Sequence, residues 1–408
     1  MDKIIKVVQI HYSVEASGSA AWRLHNAFNE NGIQSILLVH KSDKTVDESI
    51  RFAGLKSKII AFIQSKFQNF LNRKNLKEWG LFSYPIFGID LSKRNEVINA
   101  DVIYLHWILL GYLNFASIEK LAKLNKPIVI IMHDMWYITG GCHNSFTCEN
   151  YTTTCHSCPI LPGTKENDLS TKEFKKKLKL YSKYSNLYFV SPSLWLYNCA
   201  VNSLLTNNKP VFHIPNLVDK TLFKKIDKHV AKKILNIPID EPTIAFGAVS
   251  LHSPYKGGWY LQKALQYLYK EEIQNANIIF FGGGDIRELQ KSIPFKSTSM
   301  GYVHDEYTLM LIYNAADVFV VPSIADNLPT TVLESLRCGT PVAGFNVGGI
   351  PDMIQHKENG YLAKYKDYKD LALGIKWCID CKKTAELSSI FDPEIILKKH
   401  INLLDQIL

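Results

Sequence analysis

Residues 318–345, VFVVPSIADNLPTTVLESLRCGTPVAGF, contain a strand, a loop, a helix and a second strand in direct succession. The apolar run at 318–321 predicts the first strand. Pro329 suits the first turn of a helix, and Gly339 is placed to end that helix before the run PVAGF. Continuous apolar strands joined by amphipathic helices are typical of parallel sheets with helices on both faces.

The same alternation recurs along the chain in two series. The first series comprises IIKVVQIHY, SILLVH, DVIYLHW, PIVIIMHD and LYFVSPS, and the second comprises TIAFGAV, NIIFFGGG, DVFVVPS and PVAGF. Two series predict two doubly wound α/β domains. Pro215 and Asn216 mark a break between them, and FDPEIILKKHINLLDQIL has the apolar spacing of a final helix. We therefore predict domains at 1–215 and 216–390 and a closing helix at 391–408.

The bulk composition is that of an ordinary globular protein. The chain has 408 residues, of which 47% are hydrophobic and 21% charged. This length exceeds the size at which single hydrophobic cores stop growing, so two domains are expected. No apolar run reaches the length of a membrane span, and the start MDKIIKVVQIHYS leads directly into a strand. These features predict a cytoplasmic protein without a signal peptide.

The formal net charge is +9, and basic residues cluster in residues 51–80 and 172–183. Basic patches favour phosphates, a membrane surface or nucleic acid as partners. Nucleic acid is disfavoured because no helix-turn-helix, zinc-finger or RNP signature accompanies the charge. The basic, aromatic-containing stretch KSKIIAFIQSKFQNFLNRKNLKEW at 56–79 is a candidate for contact with the inner face of a membrane. An acceptor-binding helix pair and a merely solvated basic face are the alternatives.

The loop and helix after the strand at 318–321 contain the strongest candidate site. Asp326 and Asn327 lie in the loop, and Thr330 and Thr331 fall in the first helical turn, where free N–H groups favour phosphate. Glu334 follows one turn later and is suited to binding vicinal hydroxyls such as those of a ribose. The alternative for Glu334 is an ordinary exposed helix position.

A second candidate lies in GAVSLHSPYKGGWYLQKAL. Lys256 and Gly257 stand at the predicted start of a helix, so an ammonium and bare backbone amides can face one anion. A surface lysine is the alternative. In the first domain, Gly18 allows close backbone approach at a helix start.

Polar residues also end two strands of the first domain. His106 ends DVIYLHW, and His133 and Asp134 end PIVIIMHD. Because ligands of open parallel sheets bind beyond the carboxyl ends of the strands, all three residues are expected to point into a cleft. His106 and Asp134 are the candidates for its acceptor side, and His133 is a candidate catalytic residue. For each histidine, a hydrogen-bonded position in the core is the alternative.

Four cysteines form a small cluster in a predicted insert of the first domain. Cys142, Cys148, Cys155 and Cys158 occur within residues 142–158, and the last two have the CxxC spacing. In a cytoplasmic protein this arrangement suggests a structural zinc site. A partial disulfide or free thiols remain the alternatives.

These motifs together resemble glycosyltransferase family 4, whose members are retaining nucleotide-sugar transferases. The family signature is a glutamate, seven residues, a second glutamate and then Gly-x-Pro-Val. Here it reads Asp326, seven residues, Glu334 and then GTPV at 339–342. The segment HDMWYITGGC resembles sequences of the family branch that builds bacterial capsule, exopolysaccharide or O-antigen. The resemblance implies the GT-B fold, in which two Rossmann-like domains face each other and the closing helix returns to the first.

The resemblance also implies roles for individual residues. Asp326 would contact the donor sugar, Glu334 the ribose, Lys256 the diphosphate and His133 a distant sugar hydroxyl. Gly18 would lie in a phosphate loop. Further donor contacts would come from Gly257, Asn327, Leu328, Thr330 and Thr331. This sequence departs from the family pattern in having aspartate at 326, leucine and proline at 328 and 329, and no arginine before Lys256.

The predicted function is metal-independent transfer of a sugar from a UDP or GDP donor to a glycan or lipid-linked acceptor, with retention. The chain contains no Asp-x-Asp sequence to hold a catalytic Mg²⁺, so no cofactor is expected for the chemistry. A sugar-nucleotide epimerase of the same fold and a non-catalytic sugar-nucleotide-binding protein are the alternatives. A dehydrogenase is disfavoured because no strand is followed by a full GxGxxG.

Overall fold

The computed structural model describes residues 4–14, 19–42, 48–72, 81–161, 165–251, 253–381 and 383–408. The chain divides into two compact units. Unit 1 comprises Met1–Leu217 and Ile396–Leu408, and unit 2 comprises Val218–Ile395. Each unit is built on its own parallel β-sheet. Two doubly wound α/β units were predicted from the sequence, and this prediction is confirmed.

Unit 1 contains a sheet of seven parallel strands in the order β3-β2-β1-β4-β5-β6-β7. Its elements are β1 (Lys6–Val14), α1 (Ala20–Glu30), β2 (Gln34–Ser42), β3 (Ile50–Phe52), α2 (Leu55–Asn72), α3 (Asn95–Ile98), β4 (Val102–Leu105), α4 (Phe115–Ala122), β5 (Ile128–Ile131), α5 (Leu169–Lys183), β6 (Leu187–Ser191), α6 (Leu194–Asn202) and β7 (Val211–His213). Short 3₁₀ turns occupy Met135–Ile138 and Asn150–Thr152.

The central strands of unit 1 are apolar along their whole length because helices cover both faces of the sheet. Every residue of β4 and β5 is buried. Strand order reverses between β1 and β4, which pair in parallel with Val7 opposite Val102. This reversal is a topological switch point, where the loops beyond neighbouring strands diverge and leave a crevice for ligands.

Unit 2 contains a sheet of six parallel strands in the order β10-β9-β8-β11-β12-β13. Its elements are α7 (Lys228–Ile234), β8 (Thr243–Ser250), α8 (Gly258–Glu271), β9 (Asn277–Gly283), α9 (Arg287–Ser292), β10 (Lys296–Ser299), α10 (Glu306–Ala315), β11 (Val318–Val321), α11 (Thr330–Arg337), β12 (Val342–Phe345), β13 (Gly360–Ala363) and α12 (Tyr368–Asp380). The order reverses between β8 and β11, which is the switch point of this unit.

The last helix, α13 (Pro393–Ile407), returns to unit 1. Ile396 and Leu404 are fully buried in a core that also contains Phe28 of α1 and Val7 of β1. Helix α13 therefore covers the same face of the first sheet as α1, as the resemblance implied.

Helix α2 is the longest helix of unit 1, but its sequence mixes lysine and glutamine with apolar residues. Within the described ranges, no helix combines the length and the apolar character needed to cross a bilayer.

Candidate active site

The loops after β8 and β11 meet at the switch point of unit 2. After β8 the chain forms a 3₁₀ turn at Pro254–Lys256, and Gly257 then leads into α8. The backbone N–H of Ile324, which follows β11, donates to the carbonyl oxygen of Tyr255 over 2.8 Å. This hydrogen bond ties the two loops together, so the side chains that they carry converge.

The convergence brings Lys256 and Asp326 into contact. Lys256 Nζ donates to Asp326 Oδ2 over 2.6 Å, and Ser323 Oγ donates to the same oxygen over 3.1 Å. Burial of the ammonium opposes its charge, but the attraction of Asp326 outweighs burial and raises the pKa of Lys256 above its usual value. The lysine is therefore a cation at neutral pH. The residue predicted to bind the diphosphate, Lys256, and the residue predicted to bind the sugar, Asp326, thus form one ion pair.

Two glycines allow the backbone to close around this pair. Gly257 has a φ of 75°, and a Cβ there would lie 1.8 Å from the carbonyl oxygen of Pro322. Gly348 has a φ of 58°, and a Cβ there would lie 2.0 Å from the carbonyl oxygen of Asp326. Only glycine fits either position. Gly348 was not identified from the sequence, although the pair Gly348 and Gly349 shortly after a predicted strand was a usable signal.

Two helices begin beside the ion pair. Gly257 precedes α8, and Pro329 precedes α11, so among the described residues no side chain caps the first turn of either helix. Thr330 and Thr331 lie partly exposed in the first turn of α11. Pro329 occupies the N-cap, one residue earlier than the helical position that the sequence predicted. Open N–H groups at two helix starts suit an anionic ligand.

Glu334 is buried in unit 2. Its side chain is 3% exposed, and its Oε2 accepts a hydrogen bond of 2.8 Å from the hydroxyl of Tyr313 in α10. The alternative of an exposed helix position is therefore wrong. Tyr313 was missed because, in sequence, it reads as an ordinary core residue of an amphipathic helix.

The remaining predicted residues of unit 2 flank Asp326. Asn327 is buried in the loop, and Leu328 is buried within the apolar core that also contains Phe319 and Val332. The Leu328 side chain thus belongs to the core, and a role in donor binding would fall to its backbone.

In unit 1, His106 and His133 contact each other beyond the ends of β4 and β5. His106 Nδ1 lies 3.1 Å from His133 Nε2, and His106 Nε2 lies 2.8 Å from Gln9 Oε1. Burial lowers the pKa of His133 to about 4 and that of His106 well below its usual value. Both rings are therefore neutral near pH 7. His106 is 1% exposed and lies behind the partly exposed His133, which places the predicted acceptor-side histidine in the interior.

Asp134 has a different set of partners from its neighbour. Its Oδ1 accepts from the backbone N–H of Trp136, and its Oδ2 lies 2.6 Å from His143 Nδ1. Burial raises the pKa of a carboxyl, but the attraction and hydrogen bond of His143 outweigh it and leave the pKa of Asp134 lowered. Asp134 thereby anchors the turn Met135–Ile138, and a small cleft lies against His106, His133 and this turn.

His11 joins the two histidines, although the sequence gave no reason to single it out. Its ring centroid lies 5.7 Å from that of His106 and 6.1 Å from that of His133. Burial lowers the pKa of His11 to about 3. Gly18, the predicted phosphate-loop glycine, falls outside the described residues.

A structural zinc site was predicted at the four cysteines of the insert. Across the described parts of the chain, no group of three or more His, Cys, Asp or Glu side chains is arranged to hold a metal ion. Cys142 and Cys158 pack with Phe82 in a small apolar cluster, and burial raises the pKa of each thiol. Cys155 Sγ accepts from the N–H of Gly140 over 3.2 Å. No disulfide joins any of the four described cysteines, and the structural zinc site stays a prediction.

Comparison with known proteins bears directly on this site. Residues 241–381, which include Lys256, Asp326 and Glu334, match the family described as glycosyl transferases group 1. The resemblance to glycosyltransferases is confirmed. A putative colanic acid biosynthesis glycosyl transferase of Escherichia coli, WcaC, is 25% identical over 303 residues, which is 69% of each chain. An uncharacterized glycosyltransferase of Methanocaldococcus jannaschii is 31% identical over 150 residues.

The alignments with two of these relatives cover only part of each chain. The first alignment spans 35% of this chain and 37% of the Methanocaldococcus protein. A separate alignment with an uncharacterized glycosyltransferase of Haemophilus influenzae spans 36% of that protein. The chain thus spans little more than a third of the length of these two relatives.

Solved glycosyltransferases share the whole fold. A sucrose-phosphate synthase from Thermosynechococcus elongatus superposes with a TM-score of 0.68 at 17% identity, covering 98% of both chains. Anabaena HepE in complex with UDP and glucose superposes with a TM-score of 0.64 at 16% identity, covering 98% of this chain and 100% of that one. The predicted GT-B fold class is confirmed.

Proposed function

We propose that this protein is a retaining, metal-independent glycosyltransferase that uses a nucleoside-diphosphate sugar. The observation that carries the proposal is the pairing of Lys256 with Asp326 at a switch point bordered by two open helix starts. One cation, two sets of backbone N–H groups and a carboxylate are then within one small region. This combination suits a ligand with a negative phosphate end and a sugar end rich in hydroxyls.

The proposed chemistry follows from where charge develops. As the bond between the anomeric carbon and the diphosphate oxygen breaks, its electron pair leaves with the nucleoside diphosphate. The ammonium of Lys256 and the N-termini of α8 and α11 would stabilise that negative charge. Asp326 would face the positive character that grows on the sugar ring. The cation needed for departure is thus supplied by the protein, which is the basis for proposing metal independence.

Retention would follow from attack on the same face that the leaving group vacates. The acceptor oxygen forms the new bond to the anomeric carbon, and its proton passes to an oxygen of the departing phosphate. This route needs no covalent nucleophile from the protein. It rests on analogy with the family, since the fold alone does not dictate the stereochemical course.

UDP is the nucleotide we favour over GDP. The solved structures of Anabaena HepE are complexes with UDP, with UDP and glucose, and with UDP-glucose. Glu334, held by Tyr313, would bind the ribose hydroxyls of this nucleotide. His133 would contact a hydroxyl of the transferred sugar.

The acceptor we propose is a growing glycan or a lipid-linked sugar of a bacterial surface polysaccharide. A Campylobacter jejuni relative, 26% identical over 142 residues, is named as a transferase acting on a diphospho-undecaprenol-linked sugar. WcaC is named for colanic acid biosynthesis. The first name supports a lipid-linked acceptor, and the second supports a polysaccharide product.

The outer face of α2 supports contact with a membrane surface. Leu55, Ile59, Phe62, Ile63 and Phe70 project from this helix with between 46% and 73% of their surface exposed. Their spacing places them on one side of the helix, while Ala61 and Gln64 are buried on the other. The exposed lysines Lys58 and Lys66 flank the apolar side chains. A helix of this kind binds the interface of an anionic bilayer.

Sugar transfer from a panel of UDP and GDP sugars, assayed with a lipid-linked acceptor, tests the proposal. We expect transfer that persists in EDTA and gives a product of unchanged anomeric configuration. Lys256→Ala should lower kcat/KM by about 100-fold or more, the size typical of losing a transition-state charge partner. Inversion at the anomeric carbon would refute the retaining mechanism, and full activity of Lys256→Ala would refute the site.

The same assay separates the two alternatives. An epimerase converts the donor sugar when no acceptor is present, whereas the proposed transferase requires the acceptor. A binding protein would show donor-dependent thermal stabilisation without any product, because a ligand that binds the native state raises its stability.

A further inference from the structure

A buried chain of polar side chains runs from the candidate site into the interior of unit 1. It begins at His133 and continues through His106, Gln9, Ser35 and His25. The last four of these side chains are at most 2% exposed. Buried polar groups are costly unless each finds a partner, so the directions of their hydrogen bonds are constrained.

Ser35, Asn29 and His25 form the inner end of the chain. The N–H of Ser35 donates to Asn29 Oδ1 over 2.8 Å, which leaves Asn29 Nδ2 to face His25 Nε2 at 3.2 Å. His25 Nε2 also lies 2.7 Å from Ser49 Oγ, and Asn29 Nδ2 also donates to the carbonyl oxygen of Ser35 over 3.3 Å. His25 Nδ1 lies 2.9 Å from Ser35 Oγ, and because a hydroxyl both donates and accepts, Ser35 satisfies His25 in either tautomer.

Gln9 links this serine to the site. Its Nε2 donates to Ser35 Oγ over 2.9 Å, and its Oε1 lies 2.8 Å from His106 Nε2. Since a carbonyl oxygen only accepts, His106 must carry its proton on Nε2. His106 is neutral because burial lowers its pKa, so its Nδ1 is an acceptor. The proton between His106 Nδ1 and His133 Nε2 then belongs to His133.

We propose that Gln9 is a positioning residue that fixes the proton of both His106 and His133 on Nε2. His133 consequently presents its Nδ1 as a hydrogen-bond acceptor. Gln9 acts through His106 and is separated from His133 by that ring. The side-chain amide of Gln9 thus decides whether His133 accepts or donates a hydrogen bond at Nδ1. Hydrogen-bond partners of metal-bound histidines fix the tautomer in the same way.

The consequence for catalysis rests on the proposed function. If His133 contacts the transferred sugar, the sugar hydroxyl must donate to Nδ1. A nucleotide sugar with fluorine in place of that hydroxyl has no proton to donate and would lose this hydrogen bond. Gln9 would then contribute to sugar specificity.

Long-range ¹H–¹⁵N spectra of ¹⁵N-histidine-labelled protein test the assignment without any sugar. The two rings are identified by the loss of their signals in His106→Gln and His133→Gln. We expect both rings of the unaltered protein to carry a proton on Nε2 and none on Nδ1. Gln9→Met should raise the Nδ1-protonated fraction of His106 about tenfold, since one hydrogen bond of roughly 1.4 kcal/mol is lost.

Gln9→Glu provides a conservative rescue, because a carboxylate still accepts from His106 Nε2. Both rings should keep the Nε2 proton in this variant. Gln64→Met is the matched control: Gln64 is equally buried, but it bonds to the backbone of Tyr84 and Phe87. Its histidine spectrum should match the unaltered protein.

Two results would overturn the proposal. One is an Nδ1–H on His133 in the unaltered protein, which means that the amide of Gln9 is turned the other way. The other is an unchanged spectrum for Gln9→Met in folded protein. Failure of the transferase assay with the expected tautomers would refute the proposed function and leave the role of Gln9 intact.

Discussion

Lys256 Nζ lies 2.6 Å from Asp326 Oδ2, although seventy positions separate the two residues in the chain. Each side chain is mostly buried, with 24% of the lysine and 14% of the aspartate exposed. The carboxylate keeps the ammonium charged and in place. It also competes with any phosphate that approaches the ammonium, so the two residues should affect nucleotide binding and transfer differently.

Replacing Asp326 by Asn separates these effects. The change removes a negative charge beside the proposed phosphate position, so we expect UDP to bind about fivefold more tightly, on the order of 1 kcal/mol. Sugar transfer should fall, because the sugar loses its facing carboxylate. Isothermal titration with UDP and initial rates of transfer measure the two effects. Asp285→Asn, which breaks an exposed pair with Arg287, is the control and should alter neither. Weaker UDP binding by Asp326→Asn would contradict the arrangement.

Gly348→Ala should destabilise unit 2 and reduce transfer together. The new Cβ has to displace the carbonyl of Asp326, and the positive φ adds about 1 kcal/mol of strain. Gly301→Ala is a close control, since Gly301 has a φ of 62° and no atom within 4 Å of its Cβ position. Thermal denaturation should show the strain alone for Gly301→Ala and a loss larger by at least about 1 kcal/mol for Gly348→Ala. Equal losses would mean that the contact with Asp326 is unimportant.

Tyr313→Phe should weaken donor binding by loosening Glu334. The hydroxyl of Tyr313 donates to Glu334 Oε2, and its loss is expected to raise the donor KM several-fold with little change in kcat. The free energy of unfolding should fall by about 1–2 kcal/mol. Tyr112→Phe controls for the stability cost, because it removes a hydroxyl that donates to Leu38 in unit 1. A kcat effect that exceeds the KM effect would place Glu334 at the reacting carbon instead.

Lys177 should make stability depend on pH. This fully buried lysine of α5 donates to the carbonyls of Trp136 and Thr139, and burial lowers its pKa to about 7 despite the opposing attraction of Glu173. The unfolded chain, with a lysine pKa of about 10.4, binds more protons between these values. The contribution of Lys177 to stability therefore rises from about pH 7 to about pH 10.

Denaturant unfolding of Lys177→Met across this range measures the effect. The methionine leaves two buried carbonyls without this donor, so we expect a loss of about 2–4 kcal/mol. The difference from the unaltered protein should grow as the pH rises. Lys175→Met, at an exposed position of the same helix, should give a small difference that does not vary with pH. A Lys177→Met difference that shrinks at high pH would contradict the lowered pKa.

Vesicle flotation tests the outer face of α2. We expect the protein to float with vesicles that contain phosphatidylglycerol and to stay behind with pure phosphatidylcholine. Changing both Ile59 and Phe62 to Ser should abolish flotation, and Lys58→Glu should weaken it and reduce its sensitivity to salt. Ile234→Ser removes a comparably exposed apolar side chain from α7 in unit 2 and should have no effect. Unchanged flotation of the double variant would exclude α2 as the contact.

The sequence identified the central strands of both sheets and missed all four edge strands. β3, β7, β10 and β13 stand at the edges. They are short, and β10 reads KSTS with no buried residue. An edge strand pairs on one side only and is less covered by helices, so it lacks the continuous apolar run that reveals a central strand.

By itself, the sequence determined the two α/β units, the loops that carry Lys256 and Asp326, and the helix that carries Glu334. Apolar periodicity and local helix signals encode these features within a few neighbouring residues. Only the tertiary structure decided that Tyr313 holds Glu334, that Gly348 closes on Asp326, and that Gln9 lies within hydrogen-bond distance of His106. These contacts join residues far apart in the chain, and each depends on distances and hydrogen-bond directions that are set only when the strands pair and the helices pack.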